Sequence, residues 1–357
     1  MIARAIDSYS TLAKLEDTLD QLNLAWTQDE RDFIDPPLTP LITECLTREL
    51  CGLKDINHYA VDDPWGENRL HPHIKHYFSL PDDNFSLSCG AGVTSLLASL
   101  ANLREARNVA VYGDIYPDFM WWLTQVKSNI SWLPSGQLDE ICHAASRSYA
   151  SIVFMERPAL LLADQFDDLT LLKDFCGLLE KRGIILLIDE SNANYHAPRF
   201  SSASLLNTFS NLVVLRGVSK AWGLGGIRVA FCLCSPALRE RIRQVVPPLL
   251  NPPITLSLAA ALLSKGDTTQ RLRQQIILHR DKVINLLPTN AIVNSNTALP
   301  YIFINEALRA QCDIGGIRTK YHFCHQNLEE KKTLIRMSIP LKEARMAEFV
   351  RRLECRL

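Results

Sequence analysis

The chain has 357 residues, of which 47% are hydrophobic and 22% charged, and its formal net charge at pH 7 is −1. This length exceeds that of a single core and predicts two lobes. The near-neutral charge argues against nucleic acid or an anionic membrane as the main partner. The N-terminus lacks the apolar stretch of a signal peptide, and no apolar run is long enough for a membrane span. The ten cysteines are scattered, so we expect free thiols in a cytoplasmic protein.

Residues 1–55 are predicted to form a helical segment that packs with a small C-terminal domain. Four leucines recur at helical spacing: Leu12, Leu15, Leu19 and Leu22. They predict an amphipathic N-terminal helix. After a proline break, Thr39 has the features of an N-cap with Pro40 at the first helical position, which predicts a second helix to about Leu50.

Residues 56–240 alternate between apolar strands and helices and are predicted to form the large domain. The candidate strands are residues 85–89, 109–112, 151–155, 184–188, 212–215 and 229–234. Repeated strand–helix units indicate an α/β fold with a mostly parallel sheet covered on both sides. Residues 241–357 differ, with a long helix over 269–287, short strands over 301–304 and 335–339, and a terminal helix. They predict a smaller α+β domain.

The most informative stretch lies between two of these strands. Lys220 follows the apolar strand 212–215, and Arg228 comes eight residues later, across a glycine-rich turn. A lysine in this setting can form an imine with an aldehyde cofactor, and an arginine can hold a phosphate in a fork. A surface lysine after a strand is the plainer interpretation of Lys220 alone.

Asp189 strengthens the functional interpretation. It ends a continuous apolar run that begins at residue 183, a pattern typical of a central parallel strand. The carboxyl ends of such strands are where open α/β sheets bind ligands. An aspartate there can pair with a pyridine nitrogen and keep it protonated, which makes the ring an electron sink.

With the lysine, the acid and the arginine in this order, residues 35–357 resemble the fold-type I pyridoxal-phosphate enzymes. They are most similar to the class I and II aminotransferases, the group that includes histidinol-phosphate aminotransferase. The family pattern Ser-Lys-x-x-Gly-x-x-Gly-x-Arg is matched by residues 219–228. The resemblance implies a mostly parallel seven-stranded sheet flanked by helices, a smaller α+β domain, and pyridoxal 5′-phosphate (PLP) as cofactor.

The resemblance also implies roles for individual residues. Lys220 would hold the cofactor and shuttle protons, Arg228 would bind its phosphate, and Ser219 would add a hydroxyl. A glycine-rich turn before a helix matches the family's phosphate cup, although a plain tight turn is the alternative: Gly90, Ala91 and Gly92.

Three further positions match the family. Tyr116 would stack on the pyridine ring, or else serve packing alone. Tyr59, before the first large-domain helix, would reach the phosphate of a neighbouring subunit, which implies a homodimer with shared active sites. Arg336 would grip the α-carboxylate of an amino-acid substrate, the plainer alternative being a surface salt bridge.

The sequence departs from the family pattern at three places. Asn192 stands where a tyrosine usually bonds the phenolic oxygen of the cofactor. The asparagine segment that bonds the same oxygen corresponds to residues 155–162, and we expect an apolar residue at the asparagine position. Gly217 replaces the serine or threonine often found three residues before the lysine.

These features predict an aminotransferase that converts an L-amino acid to a 2-oxo acid. The departures leave open β- or γ-elimination, replacement or cyclisation of an arginine derivative, as in capreomycidine- and enduracididine-forming enzymes, or decarboxylation, as in the threonine-phosphate enzyme. A ligand-sensing regulator on the same fold is disfavoured, because the N-terminal segment is too short and too weakly basic to bind DNA.

The substrate itself is left open by the sequence. The acids of the segment before the first large-domain helix could meet a cationic side chain or face solvent: Asp62, Asp63 and Glu67. Two histidine groups, residues 71–76 and 322–325, have ligand-like spacing but lack a second pair of ligands. We therefore expect surface or interface histidines and no metal.

Overall fold

A computed structural model describes residues 17–52, 59–161, 165–293, 296–325 and 331–354 of the chain. Its largest element is a seven-stranded sheet, which confirms the predicted α/β class. The strands, in chain order, are β2 (Ser86–Gly90), β3 (Asn108–Tyr112), β4 (Asn129–Trp132), β5 (Ile152–Glu156), β6 (Ile185–Asp189), β7 (Leu212–Gly217) and β8 (Ala230–Cys234).

The sheet is mostly parallel, as predicted. Its strand order is β2-β8-β7-β6-β5-β3-β4, and only β8 runs antiparallel to its neighbours. The predicted strands are all present within one or two residues, but β4 was not predicted. It is a short strand at the sheet edge whose side chains are exposed or half-buried, so it carries no continuous apolar signal.

Apolar side chains cover both faces of the sheet. In β6, Leu186 and Ile188 belong to one buried cluster, whereas Ile185 and Leu187 belong to a second cluster on the opposite face. This split follows from the two-residue period of a strand. A run with no polar alternation therefore indicates a strand covered by helices on both sides.

Helices connect and cover the strands. They are α1 (Leu38–Gly52), α2 (Glu67–Phe78), α3 (Val93–Leu100), α4 (Pro117–Gln125), α5 (Leu138–Arg147), α6 (Leu169–Glu180), α7 (Arg239–Val245), α8 (Pro253–Leu263), α9 (Gln270–Leu286), α10 (Glu306–Ile314) and α11 (Glu343–Glu354). The predicted helix over 269–287 is confirmed as α9. Within the described ranges, no helix is both long and apolar enough to cross a bilayer.

A four-stranded antiparallel sheet with order β12-β13-β10-β9 forms the smaller α+β domain together with α10 and α11. Its strands are β9 (Ile292–Val293), β10 (Tyr301–Ile304), β12 (Lys320–His325) and β13 (Lys331–Ser338). The prediction of β10 is confirmed and that of β13 was too short. Strand β12 was not predicted, because its three charged or histidine positions interrupt the apolar pattern.

The N-terminal segment corrects two predictions. Residues 1–16 lie outside the described part of the chain, but Leu19 is 97% exposed and Leu22 lies in a strand, so no helix continues to Leu22. That strand, β1 (Leu22–Asn23), pairs in parallel with β11 (Ile317–Arg318). In a helix the backbone N–H and C=O groups bond to each other, whereas here they find their partners in β11. The second helix, α1, begins at Leu38, so Thr39 is a helical residue and not the N-cap.

Contacts link this segment to the small domain. The Asp29 carboxylate accepts a 2.9 Å hydrogen bond from the backbone N–H of Leu341 and a 3.0 Å hydrogen bond from Arg345. Arg345 also pairs with Asp17 at 2.8 Å. These contacts agree with the predicted packing of residues 1–55 on the small domain, while the domain boundaries at 55 and 240 stay predictions.

Candidate active site

The strands β5, β6 and β7 end at one cavity, which the N-terminus of α3 closes on another side. Because the polar residues that follow parallel strands all lie at the same edge of the sheet, residues distant in sequence meet there. The predicted residues that line this cavity are Gly92, Tyr116, Asp189, Asn192, Ser219, Lys220 and Arg228. An adjoining cavity, shared with the small domain, is lined by Tyr116, Asn192 and Lys220 and by the predicted residue Arg336.

Lys220 lies three residues after the end of β7, with its amine in both cavities. Burial lowers the pKa of this amine to about 8, and the positive charge of Arg336 adds to the effect. Nearby carboxylates of Glu156 and Asp189 act in the opposite direction. A lysine with this pKa has a substantial neutral fraction near physiological pH, which is the form that attacks an aldehyde.

Asp189 ends β6 and is only 5% exposed. Its Oδ1 accepts hydrogen bonds from the backbone N–H and the hydroxyl of Ser191. Burial raises the pKa of Asp189, while the two Ser191 donors and Lys220 favour the ionised form. The side chain thus presents a supported carboxylate to the cavity, as the pairing of a protonated ring nitrogen requires.

The phosphate-sized end of the cavity is formed by a helix N-terminus and a guanidinium. Gly92 is the N-cap of α3 and has φ 86°, and a Cβ placed on it would collide with the Arg228 guanidinium. Arg228 donates hydrogen bonds to the Ala91 carbonyl at 3.0 Å and the Gly225 carbonyl at 3.1 Å. Free N–H groups in the first turn of a helix, next to a fixed cation, fit the phosphate of the cofactor.

Gly90 and Ala91 support this end from behind. A Cβ on Gly90 would come within 2.7 Å of Leu96, so the absence of a side chain lets α3 approach the end of β2. Ala91 contributes its carbonyl to Arg228 and does not line the cavity. Tyr59 is 83% exposed and lies outside both cavities of its own chain, so its predicted role in a neighbouring subunit stays a prediction.

The small domain contributes positive charge to the adjoining cavity. Arg336 on β13 and Lys320 on β12 face each other in the antiparallel register, and both are nearly buried. The Arg336 guanidinium lies 4.1 Å from the centre of the Tyr301 ring. Its Nε atom has no hydrogen-bond partner within the described residues. A buried, partly unsatisfied guanidinium aimed at a cavity suits an anionic ligand group.

His322 and Lys320 also line this wall, and neither was predicted as a site residue from the sequence. Burial lowers the pKa of Lys320 to about 6 and that of His322 to about 3, and Arg336 contributes to both shifts. His322 is half-buried in the wall of this cavity, and the expectation of a surface or interface histidine stays a prediction. The alternation of charged and aromatic residues in 320–323 was the available signal, since alternate residues of a strand share a face.

Glu156 is a third residue of this region that was not predicted from the sequence. It ends β5, pairs in register with Asp189, and faces the cavity beside Asn192. The structure thus places a carboxyl group at this strand end, while the expectation of an apolar residue at the asparagine position of the family pattern stays a prediction. At Gly217, a Cβ of the serine or threonine of the family pattern would lie 3.3 Å from the Cβ of Ala230, which is a tight contact.

The acids before α2 are not part of either cavity. Asp63 is 5% exposed and accepts hydrogen bonds from the backbone N–H groups of Asn68 and Arg69, at the start of the helix. Glu67 pairs with Arg239 at 3.0 Å. The first stabilises a helix N-terminus and the second is neutralised by an arginine, so neither is oriented to meet a cationic substrate.

The path of the chain is that of the fold-type I transferases. It superposes on the crystal structure of histidinol-phosphate aminotransferase from Clostridium acetobutylicum with a TM-score of 0.71 and 15% identity, over 94% of this chain and 98% of that one. For the histidinol-phosphate aminotransferase of Sinorhizobium meliloti, solved in complex with pyridoxal-5′-phosphate, the TM-score is 0.67 at 20% identity, with 88% and 86% coverage. These similarities establish the fold.

The sequence then identifies the family. The family model described as "Aminotransferase class I and II" matches residues 168–353, just over half of the chain, and the chain belongs to that family. Histidinol-phosphate aminotransferase of Schizosaccharomyces pombe is 30% identical over 157 residues, which are 43% of this chain and 40% of that protein. Histidinol-phosphate aminotransferase 2 of Archaeoglobus fulgidus is 24% identical over 224 residues, 61% of this chain and 62% of that protein.

The chain spans 33–40% of the length of the first curated relatives that it matches. The matched family model begins at residue 168 and so includes Asp189, Lys220, Arg228 and Arg336. The residues of the cavity that precede it, such as Gly92 and Tyr116, are placed by the fold alone.

Proposed function

We propose that this protein is a PLP-dependent aminotransferase that acts on an L-amino acid. The observation that carries the proposal is the convergence of Lys220, Asp189 and Arg228 on one cavity from three different strand ends. A reactive amine, a supported carboxylate and a phosphate-binding cation are the three groups that PLP requires. The residues therefore fit the cofactor in number, chemistry and order around the cavity.

When bound, PLP supplies an aldehyde and a protonated pyridine ring that withdraws electrons from the Cα of an amino acid. The Lys220 amine would hold the aldehyde of the cofactor and, when the amino group of the substrate takes its place, would accept the proton from Cα and, as an ammonium, give it to the aldehyde-derived carbon of the cofactor. The Asp189 carboxylate keeps the proton on the ring nitrogen. Arg228 and the N-terminus of α3 hold the phosphate, and Arg336 orients the substrate α-carboxylate.

We further propose that the substrate side chain carries a negative charge. Lys320 faces Arg336 across the β12–β13 pair, so the adjoining cavity presents a second basic group after the α-carboxylate is bound. Burial lowers the pKa of its amine to about 6, and an anionic group of the substrate beside it would raise that pKa and favour the charged form. The Lys320 amine lies 4.6 Å from the centre of the Trp26 ring, which fixes its position. The names of the relatives, histidinol-phosphate aminotransferases, agree with a substrate that bears an anionic group.

A second reaction on the same cavity is favoured by one observation. Asn192 stands where the family pattern has a tyrosine at the phenolic oxygen of the cofactor, and the carboxyl group of Glu156 lies beside it in the cavity wall. The groups around that oxygen influence where the electron pair at Cα goes after deprotonation or decarboxylation. Elimination, cyclisation or decarboxylation therefore remains the alternative to transamination, although the neutralised acids before α2 remove support for a guanidinium substrate.

We also propose a homodimer, because Tyr59 is exposed on its own chain and fits the family position that completes a neighbouring site. Sedimentation of the purified protein tests this proposal, and a monomer at all concentrations would contradict it. Replacement of Tyr59 by phenylalanine is expected to weaken cofactor binding only in the dimer, by the loss of one hydrogen bond to phosphate.

The central experiment combines cofactor capture with product analysis. Purified protein is incubated with PLP, reduced with borohydride and digested, and mass spectrometry locates the adduct, which we expect on Lys220. A panel of amino acids with anionic, neutral and cationic side chains is then supplied. A 2-oxo acid with pyridoxamine phosphate supports transamination, whereas loss of a substituent or of carbon dioxide supports the alternative. The absence of any adduct on Lys220 would contradict both.

A further inference from the structure

The Glu156 carboxyl group forms part of the wall of the main cavity in the large domain. It ends β5 directly beside Asp189, its register partner on β6. Paired residues of parallel strands point to the same face, so both carboxyl groups enter the same cavity. Glu156 also lines the adjoining cavity together with Asn192 and Lys220.

The two neighbouring carboxyl groups differ in their hydrogen-bond partners. Asp189 receives the backbone N–H of Ser191 at 2.8 Å and the Ser191 hydroxyl as well. Glu156 is only 9% exposed, and its Oε1 atom is buried without a partner among the residues that the structure describes. Its other contact is a backbone N–H from Tyr116. The anionic form is thus better supported at Asp189 than at Glu156.

Charge repulsion gives the same result. Burial raises the pKa of Glu156 well above its ordinary value, and the Asp189 carboxylate raises it further. The other charged groups that face it are Lys220, which lowers this pKa, and Asp114, which raises it. Two carboxylates in one buried site cannot both ionise at low cost, so the pair keeps a proton, and that proton resides on Glu156.

We propose that Glu156 is a neutral carboxylic acid that donates a hydrogen bond to the phenolic oxygen of the bound cofactor, next to Asn192. This inference rests on the proposed PLP function. It assigns the donor that replaces the asparagine and tyrosine of the family pattern. Asn192 has its own buried Oδ1 without a partner in the described part of the chain, so both side chains present unsatisfied polar atoms to the same space.

A donor at this position has a measurable consequence. A hydrogen bond to the phenolic oxygen stabilises its negative charge and weakens its hold on the proton of the Lys220–cofactor linkage. Loss of the donor therefore raises the pH midpoint at which the absorbance of the holoenzyme changes. An ionised Glu156 would have the opposite effect, because removal of a negative charge near the oxygen lowers the midpoint. The sign of the shift distinguishes the two states.

The experiment is a spectrophotometric pH titration of the PLP-loaded protein and three variants. Glu156→Ala removes the donor, and we expect its midpoint to rise by about one pH unit, the effect of one hydrogen bond. Glu156→Gln keeps the volume, the neutral charge and an N–H donor, so its midpoint is expected to stay within about 0.3 units of the wild type. Glu240→Gln, the same change at an 83% exposed side chain, leaves the midpoint unchanged.

Two further measurements guard against misfolding. Circular dichroism reports the fold of each variant, and Glu156→Leu, which fills the space with an apolar group, replaces the alanine variant if that one does not fold. Equilibrium dialysis gives the dissociation constant of PLP, which we expect to rise about fivefold to tenfold for Glu156→Ala and to change little for Glu156→Gln. Both readouts are independent of turnover.

The outcomes separate this inference from the proposed function. A wild-type protein that stays colourless with PLP and forms no borohydride adduct on Lys220 overturns the proposed function and this inference together. A wild type that is coloured, with a Glu156→Ala midpoint that stays in place or falls, overturns only the role of Glu156. A rise in Glu156→Ala that Glu156→Gln does not share supports it.

Discussion

Two clusters of buried charged residues lie at the ends of the same strands, one residue apart in the chain, and they differ in their hydrogen-bond partners. The cavity cluster consists of Glu156, Asp189 and Lys220. The core network consists of Arg157, Glu190 and Arg216, and its first two members directly follow Glu156 and Asp189 in the chain. Because neighbouring residues of an extended chain point to opposite faces, a single step along the sequence separates a ligand site from the interior.

The Glu190 carboxylate at the centre of the core network has a complete set of partners. The Glu190 carboxylate pairs with Arg157 at 3.2 Å and with Arg216 at 3.1 Å, and it accepts hydrogen bonds from both Ser201 and Ser202. Burial by itself raises the pKa of Glu190, but Arg216 and Arg157 outweigh it and hold the pKa below its ordinary value. Buried charges with a complete set of partners stabilise the arrangement of the strand ends.

The cavity cluster is only partly partnered, since Ser191 donates to Asp189 but not to Glu156. Over the described residues, Glu156 keeps an oxygen without a hydrogen bond, and the pKa of Lys220 is lowered to about 8 by burial and by Arg336. The comparison teaches that burial alone does not mark a functional site. A buried charged group with complete hydrogen-bond partners stabilises the fold, whereas a buried charged group with an unpaired polar atom is suited to bind a ligand.

The strongest test of this comparison removes the cavity lysine. We expect Lys220→Ala to lower turnover by more than about a thousandfold, because Lys220 is the one amine among the described residues that lines the main cavity, where it would hold the cofactor and move the Cα proton. The melting temperature of the cofactor-free protein should not fall, since a buried amine with a lowered pKa opposes folding. Rate assays and thermal melts are the measurements, and Lys173→Ala, at an exposed position of α6, is the control.

The converse test removes the centre of the core network. Glu190→Ala leaves the Arg157 and Arg216 charges buried without a counter-charge, and the free energy of unfolding is expected to fall by about 3–5 kcal/mol. Urea denaturation of the cofactor-free protein measures this free energy. Glu240→Ala, an exposed glutamate, should change the same quantity by less than about 0.5 kcal/mol. A Glu190→Ala protein of unaltered stability would break the distinction between the two clusters.

A third test extends the comparison to the small-domain wall. Lys320→Met is expected to raise the KM for amino acids with an anionic side chain about tenfold, the effect of one lost charge-assisted hydrogen bond, with little change in kcat. Lys320→Arg keeps the charge and serves as the matched control. Steady-state kinetics give the KM of each variant for amino acids with anionic and with neutral side chains. An equal rise of KM for both classes would contradict an anionic substrate.

The smallest expected effect concerns pH. Only the neutral amine of Lys220 attacks the aldehyde, so the rate of PLP uptake by the cofactor-free protein should rise with pH and level off above about 8. Arg336→Met removes the second cause of the lowered pKa and should shift this midpoint upward by a fraction of a unit. Stopped-flow absorbance gives the profile. A rate that still increases near the ordinary lysine pKa of 10.5 would contradict the lowered value.

Much of the fold followed from local patterns. The apolar run before Asp189 and the one before Lys220 were long and continuous, so their strands were predicted within two residues of the observed bounds. The edge strand Asn129–Trp132 was missed because its half-exposed side chains give no such run. The short pairing of Leu22 was missed because its partner, Ile317, is remote in sequence.

The sequence by itself determined the α/β class, the family and the residues that follow its buried strands, Lys220, Asp189 and Arg228 among them. A strand end is a local property, and a polar residue after an apolar run can be recognised from its neighbours alone.

Only the tertiary structure decided which of these polar residues share a space and which are neutralised. Glu156 faces Asp189 because β5 and β6 pair in that register, and Glu190 is compensated because Arg216 arrives from β7. The protonation and the chemistry of a buried group depend on charges that lie close in space, whatever their separation along the chain.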